Sequence, residues 1–146
     1  MVDPSLILRK IADLDVYLGQ LREYAGISAD AYAADWKTQR IVERTLQMAI
    51  ESCADIGEHL ISDLELRPPQ GYADIFTVMG EARLLAPEAV AILEKMARFR
   101  NVVVHGYDKV DAGVVVKILR DSLGDFDLLK QAALKSIRPS ASSRFA

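Results

Sequence analysis

Apolar residues recur three and four positions apart along nearly the whole chain, the spacing that lines one face of an α-helix. Leu6, Ile7, Ile11, Leu14, Leu18 and Leu21 follow this rhythm from Pro4, suited to a first helical position, to Gly26. A polar, alanine-rich connection, Ile27 to Ala34, comes next. Asp35 then caps a long helix carrying Ile41, Val42, Leu46, Ala49, Ile50, Cys53, Ile56, Leu60, Ile61 and Leu64, stopped by Arg67-Pro68-Pro69-Gln70-Gly71. A shorter helix from Tyr72 to Leu85 turns Ile75, Phe76, Val78 and Met79 inward. Pro87 opens a fourth, whose stripe of Val90, Leu93, Met96, Ala97 and Val104 runs toward His105, with Gly106 as its left-handed terminator. The last pattern starts between Val110 and Gly113, includes Val114, Val115, Ile118, Leu119, Leu123, Phe126, Leu129, Ala133 and Ile137, and closes at Pro139.

The elements predict an all-α fold, an up-and-down bundle of four main helices plus one short helix, over residues 1–138, with 139–146 as a flexible tail. Several helices have wide apolar faces, which suits dimerisation through helices. The length of 146 residues fits one domain, and 51% apolar with 27% charged residues is a globular balance.

Charge and cysteine content narrow the chemistry. A net charge of −3 gives no global basic footprint, so any contact with nucleic acid must be local. One cysteine excludes an internal disulfide and a cysteine zinc cluster, and two histidines are too few for most His-rich metal sites. No metal and no cofactor are expected. The start, Met1-Val2-Asp3-Pro4, lacks a signal-peptide pattern, and no uncharged apolar run is long enough to span a membrane. A reducing cytoplasm is the expected compartment.

Polar, chemically versatile side chains concentrate between Arg98 and Asp108. Asn101 and His105, four residues apart, share a helical face, and Arg100 is adjacent. All three can border one cleft. An arginine offers a charged bidentate clamp for phosphate, and histidine, with an ordinary pKa of about 6.5, can give or take a proton. That pair suits phosphodiester cleavage. Spacing alone equally allows a structural reading, with the three residues capping carbonyls at a helix end.

The pattern Arg100-Asn101-x-x-x-His105-x-Tyr107 resembles the signature of the HEPN superfamily (higher eukaryotes and prokaryotes nucleotide-binding), specifically its HepT-like toxin branch. Tyr72-Ala73-Asp74-Ile75-Phe76, Met96-Ala97-Arg98-Phe99, Tyr107-Asp108-Lys109-Val110-Asp111 and the long helix with Arg40-Ile41-Val42-Glu43-Arg44 and Glu51 are similar in order and spacing to that branch. The resemblance implies a dimerising bundle with Arg100 and His105 lining a cleft at the dimer interface, and cleavage of RNA without metal. Asn101 would orient His105 or bind phosphate. It also implies a type VII toxin–antitoxin pair of the HepT/MntA kind, in which a nucleotidyltransferase antitoxin modifies Tyr107 with AMP. The competing reading is a non-catalytic nucleotide-binding accessory subunit of a nucleotidyltransferase.

Other residues carry plainer expectations. His59 is read as part of a solvated face, and Cys53 as packed. Trp36, Tyr17, Tyr24 and Tyr32 flank helix ends at the core edge. Arg40, Arg44, Glu51 and Asp55 are spaced to pair along one helix, and the resemblance implies a HEPN-like bundle in which Glu51 could reach the Arg100 cleft, although spacing does not place it there. Lys95, Arg98 and Lys109 supply local positive charge.

Overall fold

The computed structural model describes residues 3–106 and 110–137, and every regular element among them is helical. Helix α1 (Pro4–Arg22) begins at Asp3, whose carboxylate accepts the N–H groups of Ser5 and Leu6, with Pro4 at a position where its missing N–H has no cost. Its stripe of Ile7, Ile11, Leu14, Leu18 and Leu21 is buried against α3 (Trp36–Asp63). Asp35 caps α3 as expected, accepting from the N–H groups of Lys37 and Thr38. At 28 residues α3 is the axis of the molecule, and α1, α4 (Tyr72–Glu81), α5 (Pro87–His105) and α7 (Phe126–Ile137) all pack on it. The expected helical bundle is therefore present.

The stretch expected to be plain connection contains a short helix, α2 (Ala29–Ala34). Ser28 caps it through the N–H of Ala31, and Tyr32, 1% exposed, pins it to the core. A single buried ring holds six residues that have no periodic stripe of their own.

Two helices end earlier than their apolar pattern does. After α3, Glu65 takes φ 54° and the N–H of Leu66 returns to the carbonyl of Ile61; after α4, Arg83 takes φ 60° and the N–H of Leu84 returns to Met79. Both closures are of the kind that usually recruits glycine, and each folds a leucine back onto the core. So α4 stops at Glu81 rather than Leu85, and Leu64, expected inward, is exposed just past the end of α3; Ile41, near its start and also expected inward, is exposed as well.

Helix α5 starts at Pro87 and ends at His105, as the sequence indicates. Ala89, Leu93 and Ala97 are buried, but the stripe ends before Val102 and Val104, which are exposed. Gly106 is not left-handed: at φ −71° and ψ 125° it is extended, and its N–H donates to the Val102 carbonyl at 2.8 Å. Glycine is needed there for space, because a Cβ would sit 2.3 Å from that oxygen.

The last pattern forms an interrupted helix. α6 (Ala112–Lys117) passes into a wide π turn over Ile118–Ser122, a 3-10 turn over Leu123–Asp125, and then α7. The change of pitch re-phases the chain, so Val115 before the π turn, Leu119 and Leu123 within the two turns, and Phe126, Leu129 and Ala133 after them all reach the core. The expected tail, 139–146, lies outside the described residues.

Candidate active site

Arg100 is the best-held polar side chain at the α3–α4–α5 junction. Its side chain is only 12% exposed, and its Nε–H and one Nη2–H both donate to Glu51 Oε2, at 2.9 and 2.8 Å. An Nη1–H donates to Asn101 Oδ1 at 3.1 Å. Glu51 is held in turn by Gln47, one turn earlier on α3, through a 3.2 Å bond. A guanidinium carries five N–H donors in a rigid plane, so among the described residues these bonds leave two of them for another anion.

The Tyr72 ring lies beneath the guanidinium, 4.0 Å from centroid to Cζ, a cation–π arrangement that fixes the plane of the arginine. Tyr72 is the first residue of α4, a helix that Arg67 ties to the loop before it. The Arg67 guanidinium spans Asp74, at 2.8 and 2.9 Å, and Glu81, also at 2.8 and 2.9 Å, while the N–H of Gln70 donates to Asp74. Hydrogen bonding from Arg67, then from the Gln70 N–H, pulls the Asp74 carboxyl down to about 2, and Arg67 also lowers Glu81. The sequence reading missed both Tyr72 and Arg67 as parts of the site. The seven-residue spacing of Asp74 and Glu81 on one side of α4 was the available signal.

Glu51 and Tyr72 also form one wall of an open cleft between α1, α3 and α4, about 480 Å³ in volume. Tyr17 faces it from α1, and Arg44, Ser52 and Glu58 from α3. Arg44 and Glu58 are exposed.

His105 occupies the last position of α5 and is exposed. Among the described residues it has no side-chain hydrogen bond or ion pair, whereas Arg100, Asn101 and Glu51 form one connected group. Within one chain, then, Arg100 and Asn101 are joined directly, and His105 shares no hydrogen bond or ion pair with them among the described residues. Tyr107 and Lys109 lie outside the described residues.

The remaining candidates sort by burial. Cys53 is buried, and desolvation pushes its thiol up, away from reactivity. His59 is half-buried, with Nε2 3.8 Å from Asp55. Trp36 is 65% exposed rather than at the core edge, with Lys37 above its ring. Two of the charges on α3 pair between helices, Glu51 with Arg100 and Asp55 with Lys10, where pairing along the helix was expected. Arg40 does pair locally, with Glu43. Arg98 is exposed and lies 3.8 Å from Glu94. Among the described residues no helix is long and apolar enough to cross a membrane.

This architecture has known counterparts. The chain is 28% identical over 127 residues to a tRNA nuclease HepT of Aphanizomenon flos-aquae, covering 87% of this chain and 86% of the relative. It is 29% identical over 123 residues to an mRNA nuclease HepT of Shewanella oneidensis, covering 84% and 92%. Its fold superposes with a TM-score of 0.82, at 27% identity over 92% of this chain and 99% of the other, on a tri-AMPylated HEPN toxin of Shewanella oneidensis solved in complex with its MNT antitoxin. The family model described as ribonuclease HepT-like matches residues 14–133, and the chain, an all-helical bundle like these relatives, belongs to that family within the HEPN superfamily.

Proposed function

We propose that this protein is the RNA-cleaving toxin of a toxin–antitoxin pair, acting without metal through Arg100 and His105. The observation that carries the reading is the Arg100 guanidinium, locked in plane by Glu51, Asn101 and Tyr72 with two N–H donors uncommitted among the described residues. Such a group is organised in advance for a phosphate, so little reorganisation remains for the transition state. Asn101 orients the guanidinium here, a more specific task than the helix cap that spacing alone allowed.

In the proposed reaction the ribose 2′-oxygen attacks phosphorus while a base takes its proton. The new 2′-O–P bond forms as the P–O5′ bond breaks, and an acid delivers a proton to the departing 5′-oxygen. Each chain contributes one motif histidine, so a homodimer, pairing His105 with that of a second copy, supplies both roles. The position of His105 at an exposed helix end, with no hydrogen-bond or ion-pair partner among the described residues, supports this by leaving it open to a second copy.

Antitoxin control follows the relatives. Tyr107 is proposed as the acceptor of AMP from a partner nucleotidyltransferase: its hydroxyl oxygen attacks the α-phosphorus of ATP and pyrophosphate leaves. The added phosphate would compete for Arg100. The test is cleavage of single-stranded RNA by the purified protein in excess chelator. Loss of cutting in Arg100→Ala and His105→Ala is expected, and undiminished cutting by both overturns the reading. Mass spectrometry after incubation with antitoxin and ATP should locate the adenylate on Tyr107; adenylate elsewhere removes that assignment.

A further inference from the structure

We infer that the cleft between α1, α3 and α4 is a nucleobase subsite for RNA held at Arg100, and that it favours bases with an exocyclic amino group (adenine, cytosine or guanine) over uracil. The inference rests on the RNA-cleaving reading. At about 480 Å³ the cleft is within the range of small-molecule sites, roughly 300–1,000 Å³. Tyr17 and Tyr72 bring aromatic rings to it from two different helices, and every base has a face that can stack on such a ring. Glu51 and Tyr72 belong both to this cleft and to the setting of Arg100, so a nucleotide bound at Arg100 has the cleft as its neighbour.

The polarity of the cleft follows from the period of α3. Arg44, Glu51 and Glu58 are seven residues apart, and seven residues are nearly two full turns, so the three share one side of α3 at steps of roughly 10.5 Å. Arg44 makes no ion pair among the described residues and offers a cation at one end. Glu51 is occupied by Arg100 in the middle, and Asp55 by Lys10. Glu58 leaves an uncommitted carboxylate among the described residues at the other end. A nucleotide has the same polarity, with an anionic phosphate at one side and, in adenine, cytosine and guanine, amino donors on the base edge. Uracil has no amino donor there, only a single N3–H between two carbonyl oxygens that a carboxylate repels. A basic peptide would satisfy Glu58 but would meet like charge at Arg44 and Arg100, so RNA is the better match.

The experiment uses the full chain with a randomised single-stranded RNA pool, sequencing the cut ends, for wild type, Glu58→Gln and Tyr17→Leu. Wild type should disfavour uracil at one position near the cut by roughly tenfold, as expected for one polar base contact. Glu58→Gln, at an exposed residue, should erase the preference while still cutting. Tyr17→Leu should raise KM roughly tenfold with kcat retained. An identical base distribution in wild type and Glu58→Gln, with unchanged KM in Tyr17→Leu, overturns the subsite. If these variants instead weaken only the binding of purified antitoxin, the cleft is a protein-docking site and the inference fails. If wild type cuts no RNA, the activity reading fails separately, and the subsite is then decided by titrating 5′-AMP, 5′-CMP and 5′-UMP against the Tyr17 and Tyr72 ring resonances. AMP and CMP should shift them at lower concentration than UMP, and equal shifts or none overturn it.

Discussion

Arg100 and His105 belong to one motif on one helix, yet the fold treats them in opposite ways. Arg100 is sunk against α3 and α4, tied by three hydrogen bonds and a ring, while His105 stands exposed on the last turn of α5 with no such ties among the described residues. Five residues of helix advance the direction of a side chain by about 140° beyond a full turn, so the two face different sides. A phosphate clamp gains from rigidity, because a fixed guanidinium pays no ordering cost when the anion arrives. A proton-transfer group must instead be reachable. The contrast separates residues whose loss damages the fold from those whose loss damages only the chemistry.

The sharpest way to break this comparison is at its exposed end. His105→Ala should reduce RNA cleavage by about 10²–10⁴-fold, the usual worth of a positioned acid or base, while unfolding stability moves by less than about 0.5 kcal/mol. Activity assays beside urea denaturation check it. A large stability loss would mean that His105 is a structural cap. Next comes Arg100→Lys, which keeps the charge but cannot reproduce the planar fork on Glu51 and Asn101. A fall in kcat of about 10²–10³-fold is expected. Near-normal kcat would show that charge alone suffices.

Glu51→Gln is the third step and should move both quantities. The amide still accepts one hydrogen bond, but the partly buried Arg100 loses its counter-charge. A loss of about 1–3 kcal/mol in stability is expected, smaller than for a fully buried pair because the Glu51 side chain is 29% exposed. Calorimetry of Glu51→Gln against His105→Ala separates the two ends directly: equal melting temperatures would remove the distinction between them.

The sequence carried the frame of this site better than its details. Pro4, Asp35 and Pro87 mark helix starts by chemistry that needs no tertiary context, and the buried stripe of α1 follows from spacing alone. Glu65 and Arg83 adopt left-handed conformations without glycine, so the early ends of α3 and α4 had no local marker. Tyr32 holds α2 by a single buried contact, which periodicity does not register. For the site, Glu51 could be named as a candidate for the Arg100 cleft, but the support from Tyr72 and Arg67 arises only when α3, α4 and α5 meet. The pairing of Asp55 with Lys10 across two helices was hidden for the same reason. Spacing also suggested one shared cleft for Arg100, Asn101 and His105, and among the described residues a direct bond joins the first two of them.

The smallest expected effect tests how far the rigid end depends on remote support. Tyr72 sits at the start of α4, and α4 is tied to the preceding loop by Arg67 through Asp74 and Glu81. Because hydrogen bonding to Arg67 depresses Asp74 to about 2, from an ordinary value of 3.8, the tie is fully present above the ordinary carboxylate range. It is lost as pH falls from about 4 through about 2, where the folded-state carboxyl takes up its proton. Glu81, also lowered by Arg67, adds to the loss in the same direction. Other carboxylates titrate in that window, so the informative quantity is the difference between wild type and Asp74→Asn. Wild type should lose more stability between about pH 4.5 and pH 2 than Asp74→Asn does, and amide exchange in α4 should accelerate before exchange in α1. Both signals are expected to be modest, because Arg67 is largely solvated and surface ion pairs contribute little. Parallel pH profiles for the two proteins would cut Arg67 out of the support of Tyr72, and the rigidity of Arg100 would then rest on Glu51 and Asn101 alone.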